Sequence, residues 1–116
     1  MRIGKAWCEK TYAGRLNTLW RIDSGSIGPH LLFTGHLDTK PVCEGWERDP
    51  FDGAIENDRL HGHGVMDMKA ALACQLVAIE AVKASGLPLS GTVAMAAVAD
   101  HMGEQAGSIA YFALND

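Results

Sequence analysis

Residues 69–99, KAALACQLVAIEAVKASGLPLSGTVAMAAVA, decide the fold. From Lys69 to Ser85 the chain is rich in alanine and sets Leu72, Leu76, Ile79 and Val82 at spacings of four and three, the stripe of a helix lying on a sheet. Gly86 and Pro88 then stop that helix. Thr92 to Ala99 is short and almost wholly apolar, as expected of a strand covered on both faces. Upstream, Leu31-Leu32-Phe33-Thr34 is a second short apolar run; it ends at Gly35 and opens into a loop carrying His36 and Asp38. Strand, helix and strand in that order predict an α/β fold with a mixed, mostly parallel sheet and flanking helices. Ligands of such sheets collect at the carboxyl ends of the strands. Three polar clusters fall at or near those ends: Gly35-His36-Leu37-Asp38, Asp67-Met68-Lys69 and Asp100-His101-Met102-Gly103-Glu104.

Further out, Asn17 to Ile22 has strand character and Ser24 to Pro29 reads as a turn, which predicts a hairpin-like pair. Lys40 to Asn57, with Pro41, Gly45, Pro50 and Gly53, is mostly loop, closed down by Trp46 and Phe51. The chain has no internal repeat or low-complexity stretch. Its 116 residues, 47% hydrophobic and 21% charged, fit one soluble globular core and exclude disordered and fibrous classes. Ten basic residues against 14 acidic ones give a net charge of -4, and the basic residues are scattered, so no nucleic-acid partner is expected. The longest apolar run, Val93 to Ala99, is far short of a membrane span, and no apolar segment follows Met1-Arg2; the expected address is the cytoplasm, with no membrane partner. Cys8, Cys43 and Cys74 lack CxxC spacing and are odd in number, which suits reduced thiols rather than a disulfide framework or a cysteine zinc site.

The candidate chemistry lies in histidines and carboxylates. His36 and Asp38 are two apart, so in extended backbone their side chains project to one side. An imidazole there binds a metal while the carboxylate fixes its tautomer, or both residues simply satisfy a loop. Asp67 precedes the long helix, so it is either an N-cap or a carboxylate that bridges metal ions. His61 and His63, set among Gly62 and Gly64, read as structural or supporting groups rather than as ligands.

Taken in order, Leu31 to Thr39, then Trp46, Pro50-Phe51 and Gly53, then Leu60 to Lys69 resemble the M20 metallopeptidase family of deacylases and carboxypeptidases. The resemblance implies a zinc-exopeptidase-like catalytic domain, of which residues 1–116 form part, without the lid or dimerisation domain. It implies His36 as a ligand of one metal, Asp67 as the bridge between two, usually zinc, and Asp38 as the group that orients His36. It implies hydrolysis of an amide in a small N-acyl amino acid or peptide. The family's next motif is Asp-Glu-Glu after a strand. Here His101 stands where its general base stands and Met102 where its carboxylate ligand stands. Histidine takes a proton near neutral pH, whereas a thioether is a poor zinc ligand. Glu104 serves in place of those glutamates only if the loop differs. Part of a sheet leaves edges open, which predicts homo-oligomers formed through them.

Overall fold

The computed structural model describes residues 4–11 and 14–115. Its main sheet has four strands, β1 (Lys5–Lys10), β2 (Leu16–Asp23), β3 (His30–His36) and β6 (Thr92–Val98), in the spatial order β1-β2-β6-β3. Between β3 and β6 the chain forms a small hairpin, β4 (Ile55–Glu56) with β5 (Arg59–Leu60), and then helix α1 (Ala70–Ala84). Helix α2 (Ala106–Asn115) follows β6.

Strands β3 and β6 run parallel, with His30 opposite Thr92 and His36 opposite Val98. Parallel neighbours need a crossover, and α1 is that crossover. The α/β class, mixed sheet and flanking helices therefore stand as expected from the sequence. The parallel majority does not: β2 pairs antiparallel with both β1 and β6, so one of the three ladders is parallel. The predicted hairpin between the strand at Asn17–Ile22 and the one after Pro29 is also overturned, because β6 lies between β2 and β3. Seven consecutive pairings of β6 with β3 and six with β2 outweigh what the short turn at 24–29 can dictate.

Alternation along the strands divides the core between two faces. On one, Met95 and Ala97 of β6 meet Leu72 and Ile79 of α1, with Trp20, Phe33 and Val93 packed against them. On the other, Leu19, Ala96 and Val98 pack with Trp7, Leu32 and Tyr111 of α2. The run Val93–Ala99 is apolar throughout because each face has its own helix. Leu72 and Ile79, seven residues apart, supply the buried part of the α1 stripe, while Leu76 remains 46% exposed in a groove with Trp20 and Leu37. Gly86 takes φ 67, the left-handed conformation that ends a helix without penalty for glycine.

Asn17, fully buried, fixes the end of the sheet that matters. Its Oδ1 accepts from the Ala99 amide at 3.0 Å and its Nδ2 donates to the Gly107 carbonyl at 2.8 Å. One side chain thus ties β2 to the point where β6 gives way to the loop before α2. In that loop Asp100 has φ 63, pairs with Arg15, and accepts the Glu104 amide at 3.2 Å.

Candidate metal centre

The parallel ladder carries His36 and the loop after Val98 to the same edge of the sheet, the carboxyl ends of β3 and β6. His36, last residue of β3, is 5% exposed. Its Nδ1 lies 2.8 Å from the main-chain oxygen of Asp38. A carbonyl only accepts, so Nδ1 bears a proton, and Nε2 is the nitrogen left to take either a second proton or a cation. Nε2 faces Oδ1 of Asp67 at 3.0 Å. A lone pair and a carboxylate oxygen at that distance repel unless a positive species lies between them, either a proton on Nε2 or a cation held by both. Two donors 3.0 Å apart lie within the reach of a single ion with bonds of about 2.0–2.2 Å. The His36–Asp67 pair therefore fits one corner of a metal site. Groups of three or more His, Cys, Asp or Glu side chains able to hold an ion are absent among the described residues.

Asp67 reaches His36 because the chain before α1 is irregular. Gly64 has φ 76, and a Cβ there would stand 2.4 Å from Cγ2 of Thr39. The Lys69 amide closes back on the Gly64 carbonyl at 2.9 Å, Asp67 (φ -127, ψ 91) and Met68 (φ -139, ψ 34) leave helical geometry, and the peptide bond between them is cis. Lys69 serves as N-cap of α1 without a side-chain cap. The N-cap reading of Asp67 is thus excluded: its side chain, 66% exposed, is spent on His36 instead. Gly35 supplies room rather than backbone freedom. A Cβ on it would meet Met68 Cε at 2.7 Å and Leu72 Cδ2 at 2.8 Å, so the turn carrying Asp67 seats against bare backbone.

Asp38 acts differently from the sequence expectation. Its carbonyl, not its carboxylate, holds His36. The carboxylate crosses to the loop after β6, where Oδ1 accepts the His101 amide at 3.0 Å and Oδ2 the Met102 amide at 2.8 Å. Partial burial pushes its pKa up, but the Met102 and His101 amides, its own backbone and the nearby His36 outweigh burial and hold it below the usual aspartate value. His101 lays its ring on that of His36, centroids 4.6 Å apart and planes within 10°. The structure thus gathers all four sequence-derived candidates: His36 contacts Asp67, Asp38 and His101 directly, and Asp38 is bonded to the His101 amide. Met102 is half-buried, and the Glu104 amide is turned onto Asp100. From sequence Gly35 reads only as the end of an apolar run; its role as room for Met68 and Leu72, like the Asp38-to-amide bonds, depends on what the fold brings near.

The model of peptidase family M20/M25/M40 matches residues 32–113. The chain belongs to that family. A succinyl-diaminopimelate desuccinylase of Gluconobacter oxydans is 44% identical over 79 residues, covering 68% of this chain and 20% of the relative. The corresponding protein of Xanthomonas euvesicatoria pv. vesicatoria is 37% identical over 106 residues, 90% of this chain and 28% of the relative. This M20 chain therefore spans between a fifth and three tenths of the length of such relatives. Among solved structures it resembles an M20 family metallo-carboxypeptidase from Sulfolobus solfataricus, with TM-score 0.69 and 32% identity over 80% of this chain and 21% of that one. Human carnosine dipeptidase 1 shares the fold, with TM-score 0.71 and 24% identity over 96% of this chain and 25% of that one.

Proposed function

We propose that this M20 chain carries part of the catalytic machinery for metal-dependent hydrolysis of an amide bond in an N-acyl amino acid or short peptide. The observation that carries the reading is the 3.0 Å approach of His36 Nε2 to Asp67 Oδ1 with Nδ1 already committed to a carbonyl. The two residues are the proposed ligands of a divalent cation, with zinc the expected ion. Two such ions serve complete family members; this pair offers donors for one. When bound, the metal supplies Lewis acidity and an activated water.

The remaining roles belong to the chain itself. Asp38 fixes the tautomer of His36 through its carbonyl and the position of the loop at 101–102 through its carboxylate. His101, stacked over His36, is the proposed proton acceptor, a task suited to imidazole near neutral pH. Three exposed, unbridged thiols suit a reducing compartment, and the reading places the chain in the cytoplasm. No described helix is long and apolar enough to cross a membrane.

The test is calorimetric titration with zinc, alongside an assay for amine release from N-acyl amino acids. Tight zinc uptake that disappears in His36→Ala and Asp67→Ala supports the reading; unchanged zinc content in both variants refutes it. A second reading has its own observation, the absence of a three-donor cluster among the described residues. On that reading the chain is a non-catalytic scaffold with one weak metal site, acting by association through the open edges at β1 and β3. Zinc uptake without amine release, together with concentration-dependent association in sedimentation, would favour it.

A further inference from the structure

The turn that delivers Asp67 to His36 has two fastenings to strand β3. The first is apolar, the seating of Met68 and Leu72 against the bare backbone of Gly35. The second is polar and belongs to Lys69, whose Nζ donates to the Leu37 carbonyl at 3.1 Å. Leu37 stands between His36 and Asp38, and its own amide donates to the Val98 carbonyl at 2.8 Å. One residue thus joins β3, β6 and the turn before α1. The other end of Lys69 closes the turn itself, because its amide donates to the Gly64 carbonyl at 2.9 Å. Gly64 clears the way between the two ends. A Cβ there would lie 3.3 Å from Lys69 Nζ, so bare backbone lets the ammonium cross to Leu37.

Asp67 has little else to hold it. Among the described residues its carboxylate bonds to His36 and to no other group, and its side chain is 66% exposed. Its place is therefore set through the main chain of the turn. The Lys69 ammonium makes no ion pair among the described residues, although the chain carries 14 acidic residues. A cation that could pair with a carboxylate is spent on a main-chain oxygen next to a candidate ligand. Two effects then oppose each other. By charge alone, an ammonium two residues from Asp67 repels a divalent ion held there. By position, it keeps the turn where Asp67 Oδ1 stands 3.0 Å from His36 Nε2. Partners that orient metal ligands are worth about 10–100-fold in affinity, whereas a solvent-exposed charge is screened, so position should win.

We propose that Lys69 is a positioning residue of the candidate metal centre, setting the His36–Asp67 separation through the Leu37 carbonyl, and that this outweighs the repulsion of its charge. The inference rests on the reading of His36 and Asp67 as metal ligands and adds to it the residue that places one of them.

The test is calorimetric zinc titration of the full chain carrying Lys69→Met or Lys69→Arg, with nitrogen NMR of the His36 ring in the zinc-free proteins at one pH. Lys69 is exposed and methionine keeps an unbranched stem, so the fold is retained. Lys69→Met should bind zinc about tenfold more weakly, and Lys69→Arg, which keeps a charged donor, should recover most of that loss. Without zinc, the Nε2 resonance of Lys69→Met should move toward that of Asp67→Ala, while Nδ1, held by the Asp38 carbonyl, stays in place. A lysine that merely stabilised the fold would leave Nε2 where it is. Zinc affinity unchanged or raised in Lys69→Met, no recovery in Lys69→Arg, or an unmoved Nε2 would overturn the proposal. Zinc uptake indifferent to His36→Ala and Asp67→Ala would instead sink the hydrolase reading, and the zinc-free Nε2 shift would still decide whether Lys69 places Asp67.

Discussion

The two sides of the candidate metal centre are built on different principles. On the β3 side, side chains are held by main chain so that their functional atoms face each other: the Asp38 carbonyl fixes the His36 ring, and an irregular turn delivers Asp67 to it. On the β6 side, side chains hold the main chain. The Asp100 carboxylate is taken by Arg15 and the Glu104 amide, the Asp38 carboxylate by the amides of His101 and Met102, and the His101 ring lies flat on His36. The first arrangement is the one proposed to hold an ion, and the second fixes a loop shape. The difference teaches that one edge of a sheet can position side-chain donors with main chain on one strand and position main chain with side-chain carboxylates on the next.

The largest expected effect falls on the β3 side. Removing either His36 or Asp67 should lower zinc affinity by roughly 100-fold or more, since loss of a mere supporting residue already costs 10–100-fold. Equal zinc affinity in the natural chain and both alanine variants would show that the β3 side prepares nothing. Next comes the carboxylate that joins the two sides. Asp38→Asn should cost about 2 kcal/mol in chemical denaturation, because two charge-assisted amide bonds are weakened. The Asp38 pKa is lower folded than unfolded, so its contribution is present above the unfolded value and is lost as pH falls through the folded one. The natural chain should therefore lose stability below about pH 4 more steeply than Asp38→Asn. Parallel acid profiles would mean that those bonds do not hold the loop.

Gly35→Ala comes third, at about 1–2 kcal/mol, because the added methyl collides with Met68 and Leu72 in the packed face beneath the Asp67 turn. It should weaken zinc binding too; normal zinc binding in a folded variant would detach the turn from the site. The smallest change sharpens the comparison from the other side. Met102→Glu places a carboxylate on the loop and should tighten zinc binding about tenfold, near 1.4 kcal/mol. No gain in calorimetry would mean that position 102 lies out of reach of the ion.

What was legible in the sequence follows the same division. The helix read from Lys69 to Ser85, the strands read at Leu31–Thr34 and Thr92–Ala99, and the clusters after them could be read because local apolar pattern and punctuation specify them, although β3 runs on through His36, which the sequence reading left in the loop. Strand β1, KAWCEK, was not read: it mixes charges into an edge strand whose partner is known only once β2 is placed. Helix α2 was missed because AGSIAYFALN lacks a charged face or an acidic first turn, and Gly107 is there to let the Ala99 carbonyl approach. Spacing alone suggested that Asp38 would turn its carboxylate toward His36. Main-chain donors more than sixty residues away claimed it instead, an outcome of tertiary convergence that no local pattern records.

The most direct test is nitrogen NMR of the His36 ring with and without zinc. The account predicts a protonated Nδ1 that scarcely moves and an Nε2 resonance that shifts on zinc addition in the natural chain but not in Asp67→Ala. An Nε2 indifferent to zinc, or a zinc-dependent shift that survives loss of the Asp67 carboxylate, would contradict it.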